Sequence, residues 1–439
     1  GIRVLIVTGV QTCALPICAG FLKRAEDYRA VDSLLSGPAG GVVGALAAAQ
    51  CAGYRRILTF DMGGTSTDVA RLEGVPSFRY EQAIGPVRVV APAVQIETVA
   101  AGGGSICCWR NGGLEVGPGS AGADPGPACY GRGGPLTITD VNLLLGCMDA
   151  AKAGIPLEVA DSRERLDELK AAMMRDGVQV GGERELLEGL REIAVERMAE
   201  AIRKVSLREG YDPSEYVLVA FGGAGPQHAC AVAEKLGVTE ILVPGDAGLL
   251  SAWGLHRSVR ENSAERQVLR RIAEVRPDWE RLMAELTAEA CVGLGEAARV
   301  SRALFELRLW GQDSAVEVEE EPGVSLEGLV ARFAAKYEAL YGYGIPTGRE
   351  VELVAVRVVG RLEVEGLARE EFVDVGEALE REVRQDRFRS CVLEPGWRCA
   401  AGSRWSLILV GWAGRASAGQ WRREVVSVLF RLRFVTVVE

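Results

Sequence analysis

No two of the chain's eleven cysteines, at 13, 18, 51, 107, 108, 129, 147, 230, 291, 391 and 399, stand in a C-x-x-C spacing. That absence removes the common zinc spacings, and the odd count gives no disulfide framework, so free thiols in a reducing cytoplasm are expected. Histidine is almost missing too. His228 and His256 are the whole supply, too few for an all-protein zinc site, and the carboxylates suit an oxygen-ligated cation better. Basic residues are outnumbered. A net charge of −10 repels nucleic-acid phosphates and anionic lipid headgroups, so neither nucleic acid nor a membrane is an expected partner, and any bound anion must be held locally. Nowhere does an uninterrupted apolar stretch reach the ~18 residues of a membrane span. What is present is core-forming material: 439 residues, 48% hydrophobic and 25% charged, enough for about two or three domains of a soluble globular protein.

The chain is organised around Ile57-Leu58-Thr59-Phe60-Asp61-Met62-Gly63-Gly64-Thr65-Ser66-Thr67-Asp68-Val69-Ala70. A short apolar run delivers Asp61 to a strand end, two glycines allow a tight turn, and three hydroxyls and Asp68 follow. Glycine lets main-chain N–H groups approach phosphate oxygens, hydroxyls add donors, and carboxylates can hold a Mg²⁺ that bridges to phosphate. The competing reading is a glycine-rich hairpin with a solvated acidic turn.

Upstream, Gly1 to Ile17 is an apolar run behind Arg3, and Leu15-Pro16-Ile17-Cys18 imitates a lipoprotein cleavage site. Gln11 and Thr12 break such an h-region, and Val7 to Ile17 resembles the translated read-through of a sequencing adapter, so residues 1–20 are expected to be non-native. Ser36-Gly37-Pro38-Ala39-Gly40-Gly41 then runs into an alanine-rich helix, either as an anion site at a helix start or as close packing through small residues.

Residues 71–150 are dense in glycine and rich in loops. Thr98 to Ile106, with Gly102, Gly103 and Gly104, and Val116 to Gly131 cannot form regular helix or central strand, which suggests loops placed for a site rather than a linker. Thr139 or Asp140 is the expected N-cap of a helix near Leu143. Residues 161–209 read as helical, with an apolar face of Ile193, Ala194, Met198, Ala201, Ile202 and Val205. A buried strand, Tyr216 to Ala220, ends in Phe221-Gly222-Gly223-Ala224-Gly225-Pro226-Gln227-His228, another set of donors beside a strand end. The G-x-G-x-x-G spacing and downstream acid of a dinucleotide fold are not met. After Glu240 to Pro244 and a loop at 245–248, the texture changes near Arg260. Amphipathic helices at 278–298 and 325–341 and strands at 303–310, 314–319 and 351–363 read as a second domain.

Together, Ser36 to Gly41, Phe60 to Asp68, Gly102 to Ile106, Gly122-Ala123-Asp124-Pro125-Gly126-Pro127-Ala128-Cys129-Tyr130, Phe221 to His228 and Tyr341-Gly342-Tyr343 resemble the hydantoinase/oxoprolinase family. The nearest resemblance within it is to the ATP-using N-methylhydantoinase subunit; the first half of 5-oxoprolinase and ketone carboxylase subunits are similar. It covers about residues 30 to 365. It implies an α/β fold, an actin-like ATPase lobe as in sugar kinases and Hsp70 at 21–260, with a smaller α+β accessory domain at 261–398. Ala100 and Gln227 depart from the family's usual glycine and leucine. The family's first lobe, with its own Asp-x-Gly-Gly-Thr loop, is expected upstream of residue 20, and residues 399–439 are expected to be an out-of-frame tail.

Carried over position by position, the resemblance implies that Asp61 and Asp68 are the catalytic and Mg²⁺-binding carboxylates. Gly63, Gly64, Thr65 and Thr67 complete the phosphate loop, Gly222, Gly223 and Gly225 form the adenosine loop, and His228 lies near the site or is simply a buried histidine. The cofactors implied are ATP and Mg²⁺. The activity implied is hydrolysis of a cyclic amide or imide through phosphorylation of its carbonyl oxygen, with a second, beta-type subunit as partner. A ketone carboxylase subunit and a non-catalytic ATP-binding module remain open.

Overall fold

A computed structural model describes residues 38–74, 94–258, 261–295, 297–320, 323–362, 391–395, 397–402 and 406–411, with backbone alone at 17–18, 21–22, 36–37, 78–84, 87–93, 372–377, 382–385 and 390. The chain forms two compact units, one containing Ala30–Arg257 and Leu367–Glu439, the other containing Ser258–Gly366. The chain passes from one unit to the other between Arg257 and Ser258 and back again between Gly366 and Leu367.

That first unit is built on an eight-stranded sheet in the order Phe372–Glu377, Arg398–Gly402, Leu407–Val410, Glu240–Val243, Val217–Phe221, Arg56–Met62, Thr67–Glu73, Glu97–Val99. Val217–Phe221 lies between two parallel neighbours, Arg56–Met62 and Glu240–Val243, and every other pairing is antiparallel. The parallel centre follows from composition: Val217 to Phe221 are all buried, as a continuous apolar run covered on both faces must be.

Strands Arg398–Gly402 and Leu407–Val410, which fall mostly in the segment read from sequence as an out-of-frame tail, run in this sheet. Leu407, Ile408 and Leu409 pair with Val243, Leu242 and Ile241 and are buried with Cys399. An apolar four-residue strand has nowhere better to bury its surface than a sheet edge of matching character. Residues beyond 411, and the adapter-like start apart from the 17–18 strand backbone, lie outside the described residues.

Helix Ser36–Cys51 packs against helix Leu250–Arg257 through small residues. A methyl added at Gly254 would lie 1.8 Å from the Gly40 carbonyl oxygen, and one at Gly44 would lie 2.5 Å from that of Leu250. Close packing, not anion binding, explains those glycines. The long helical stretch is two helices, Val159–Arg175 and Glu183–Val205, broken near Gly181 and Gly182. Residues 113–120, with glycines at 113, 117 and 119, form one arm of a two-stranded hairpin, Ser105–Arg110 with Gly113–Ser120, off the central sheet. Among the described residues no helix is long and apolar enough to cross a membrane.

The accessory unit is a four-stranded antiparallel sheet, Glu261–Arg271, Val351–Leu362, Ala298–Leu309, Val316–Glu320. Helices Trp279–Cys291 and Leu326–Tyr341 share its core. The second of these buries Leu326, Leu329, Phe333 and Tyr337, one helical stripe, against Phe305 and Val318.

Candidate functional site

At the C-terminal ends of the two central parallel strands, Asp61 stands in register with Phe221 on one side and Asp68 on the other. Open α/β sheets bind ligands at this edge. The chain leaves the first strand through Gly63-Gly64-Thr65, all exposed, and the turn closes with Gly63 N–H donating to the Ser66 carbonyl at 3.1 Å. Asp61 lies beneath it in a tight cradle: a methyl on Gly41 would sit 3.1 Å from its Oδ2, and one on Gly222 would sit 2.5 Å from its Oδ1.

Burial and the neighbouring Asp68 push the Asp61 carboxyl up to about 7. Asp68 is also raised by burial, an effect opposed by Thr98, whose hydroxyl donates to Asp68 Oδ1 at 2.5 Å. Neither carboxylate has a cationic partner among the described residues. Two partly buried carboxylates that lack a counter-charge fit a divalent cation, since a bound cation supplies the missing charge.

Other expected contacts resolve differently. Gly102, Gly103 and Gly104 are buried, and their N–H groups are already used, donating to Ser105 Oγ at 2.9 Å, to the Gly63 carbonyl at 3.0 Å and to the Gly64 carbonyl at 2.6 Å. These three glycines are the bed on which the turn rests, not donors to a ligand; a methyl at Gly102 would meet Ser66 N at 2.7 Å. Thr67 is fully buried and its hydroxyl donates to the Ala101 carbonyl at 2.5 Å, so it braces the same bed. None of these bonds uses the N–H of Gly64 or Thr65, two exposed residues at the tip of the turn.

The second loop meets the first directly. Ala224 N–H donates to the Met62 carbonyl at 3.1 Å, and Gly222 N–H to that of Ala247 at 2.9 Å. Gly223 is exposed beside Asp61's cradle, whereas Gly225 is buried where helix Gly225–Leu236 begins. Gly222 has φ +78°, and a methyl there would lie 2.4 Å from the Met62 carbonyl oxygen. Gly222→Ala is therefore expected to cost about 2–4 kcal/mol, from left-handed backbone plus overpacking. Gly223→Ala, with nothing within 4 Å, should cost under about 0.5 kcal/mol, and urea unfolding of the two variants checks both values.

His228 does not reach the site. Its ring is fully buried, with Nε2 3.0 Å from Asn142 Nδ2, while Nδ1 has no partner among the described residues. Burial and the positive charge of Arg191 push it down to about 3, so it is neutral. An unfolded histidine titrates near 6.5, so between about 6.5 and 3 the unfolded chain binds a proton that the native state refuses. Stability should thus fall as pH drops through that window, by up to about 1.4 kcal/mol per pH unit, and the fall should shrink in His228→Gln. Unfolding titrations at several pH values check this.

Asp140, expected with Thr139 as a candidate N-cap, is instead a buried carboxylate at the third position of its helix. Asp140, fully enclosed, accepts from Ala128 N at 3.1 Å, Cys129 N at 2.7 Å, Thr137 N at 2.8 Å, Thr137 Oγ1 at 2.8 Å and Ser162 Oγ at 2.7 Å. The N-cap of helix Ile138–Leu144 is Thr137, with Asp140 completing a capping box, a T-x-x-D spacing visible in the sequence. Asp140 also organises the loop that ends in Cys129-Tyr130. Burial and that carboxylate push the Cys129 thiol far up, which removes it as a nucleophile.

Residues 18–260 match the hydantoinase/oxoprolinase family model. The chain is 43% identical over 250 residues to a 5-oxoprolinase of Pestalotiopsis fici, covering 54% of this chain and 19% of that protein. With the caprolactamase subunit alpha of Pseudomonas jessenii it shares 33% over 354 residues, 76% of this chain and 50% of that one. The crystal structure of the ATP-dependent caprolactamase from that organism superposes with a TM-score of 0.71 at 25% identity, over 90% of this chain and 64% of the other. Nucleotide-free acetone carboxylase gives 0.69 at 19% identity over the same shares, a likeness of fold. The chain thus spans a fifth to a half of these curated relatives' length. A strand-end carboxylate pair under a glycine turn, an adjoining glycine loop, an actin-like lobe with its accessory domain, and a family match over more than half its residues make this chain a member of the hydantoinase/oxoprolinase family.

Proposed function

We propose that the chain supplies an ATP-binding lobe of an enzyme that opens a cyclic amide or imide of hydantoin or 5-oxoproline type, in the cytoplasm and together with a second, beta-type subunit. The observation that carries this reading is the Asp61–Asp68 pair beneath the exposed Gly63-Gly64-Thr65 turn. Mg²⁺ takes one or two carboxylates and fills its remaining positions with water and substrate phosphate, and Asp61 and Asp68 are the residues that would hold it. Among the described residues no cluster of three or more ligating side chains competes. When bound, the ion would offset charge on the transferring phosphoryl group.

The chain's own groups would position the reactants. Gly64 and Thr65 N–H groups orient the phosphates, and Gly222-Gly223 lie where the nucleoside would rest, so catalysis is positional and electrostatic. An amide carbonyl is a poor electrophile. Its oxygen attacks the γ-phosphorus, ADP departs, and the resulting imidate phosphate accepts water at carbon. The ring C–N bond then breaks with nitrogen taking a proton, and a second water attacks the acyl carbon, so that the C–O bond breaks and phosphate leaves with the original carbonyl oxygen. Relatives named 5-oxoprolinase and caprolactamase support this class. A biotin-independent ketone carboxylase, favoured by the fold likeness to acetone carboxylase, would use the same phosphorylated oxygen.

ADP release from MgATP, measured with hydantoin, 5-oxoproline, or acetone plus bicarbonate, tests the reading. Stimulation by a cyclic amide whose heavy-oxygen carbonyl label appears in phosphate supports it. Stimulation by acetone alone moves the assignment to carboxylation, and turnover indifferent to all three leaves an ATP-binding module that switches a partner.

A further inference from the structure

Helix Ile138–Leu144 stands behind both nucleotide loops and touches each through a different side chain. At its first turn, Thr139 donates twice to the Gly103 carbonyl, from N–H at 2.8 Å and from Oγ1 at 2.9 Å. Gly103 in turn donates to the Gly63 carbonyl, inside the phosphate turn. A methyl on Gly103 would meet Thr139 Oγ1 at 2.8 Å and lies 4.0 Å from the Ala224 side chain. Gly103 is thus the point where the phosphate turn, the adenosine loop and this helix come together.

Three residues on, and so on the same face of the helix, Asn142 is buried and reaches the other loop. Its Nδ2 donates to Gln227 Oε1 at 2.8 Å and lies 3.0 Å from His228 Nε2. Gln227 N–H closes onto the Ala224 carbonyl at 3.0 Å, so Asn142 holds the first turn of the helix that continues the adenosine loop. The capping box of Thr137 and Asp140 closes the same first turn, which fixes the helix start and hence the placement of Thr139 and Asn142.

We infer that Thr139 and Asn142 are positioning residues for nucleotide binding: through one short helix they hold the phosphate turn and the adenosine loop at a set separation, so that phosphates and nucleoside are gripped together. Neither side chain needs to touch the ligand. Thr139 acts through Gly103 on Gly63, and Asn142 through Gln227 and His228 on Ala224. This inference rests on the nucleotide site proposed above.

The two residues predict different losses. Thr139→Val keeps shape and the N–H bond but removes the hydroxyl donor, so it should weaken MgADP binding about tenfold, the effect usual when a supporting residue is lost, and leave adenosine binding unchanged. Asn142→Leu should weaken both ligands, and Thr139→Ser, which restores a donor, should recover MgADP affinity. Calorimetric titration of the 439-residue chain with MgADP and with adenosine, beside melting curves, reads all of these. Variants that melt lower yet bind both ligands like the wild type would show a purely structural helix and overturn the inference. Wild-type chain that binds neither would instead remove the nucleotide reading beneath it, and the inference with it.

Discussion

Asp61→Asn is expected to lower Mg²⁺-dependent phosphate release by about 100-fold or more while leaving the fold intact, because it removes a charge aimed at a cation rather than a packing group. The stability change should run the other way. Asp61 titrates at about 7 in the native state, above the ~3.9 of an unfolded aspartate. A raised carboxyl contributes stability that is complete below the unfolded value and is lost as pH rises through about 7. The Asn variant is spared that loss, so near pH 8, without metal, its melting temperature should equal or exceed the wild type's, and added MgATP should stabilise only the wild type. Phosphate release and paired melting curves decide it. Wild-type turnover in the variant would end the assignment of Asp61.

The second large effect lies away from the chemistry. Asp140→Ala strands five buried donors at once: three backbone N–H groups and the hydroxyls of Thr137 and Ser162. Each unsatisfied buried group costs about 1–3 kcal/mol, reduced where water enters, so a total near 3–5 kcal/mol is expected. Asp140→Asn should recover only part, because an amide presents one acceptor oxygen where the carboxylate presents two. Urea unfolding measures both. A loss under about 1 kcal/mol for Asp140→Ala would mean that the loop ending in Cys129-Tyr130 is held by something else.

Much of the site was legible from residue order. The apolar run into Asp61, the two glycines after it and the seven-residue separation from Asp68 specify a strand, a tight turn and a returning strand, and in a hairpin with a short turn that spacing leaves little freedom in register. The second strand-and-glycine loop at Val217 to Gly225 was legible in the same way. The donors were not. Gly63, Gly64, Gly102, Gly103 and Gly104 are alike in one dimension, yet only the first two are exposed, and the Gly102–Gly104 N–H groups are spent on other carbonyls. His228 was ambiguous for a related reason: a histidine just past a ligand loop on a helix can face the ligand or the core, and the pairing with Asn142, 86 positions earlier, decides for the core.

The strands at Arg398–Gly402 and Leu407–Val410 show the same division. Their composition differs from what the family resemblance led one to expect, but burial beside Glu240–Val243 depends only on alternating contact with a neighbouring strand. By itself the sequence determined the element types and the strand-end positions of Asp61 and Gly222, because these follow from local periodicity, turn chemistry and composition. Only the tertiary structure decided which N–H groups remain free for a ligand, which carboxylate is enclosed by its own donors, as Asp140 is, and which lacks a counter-charge, as Asp61 does. Those properties belong to groups brought together from distant parts of the chain, and hydrogen-bond satisfaction and desolvation exist only once the partners have met.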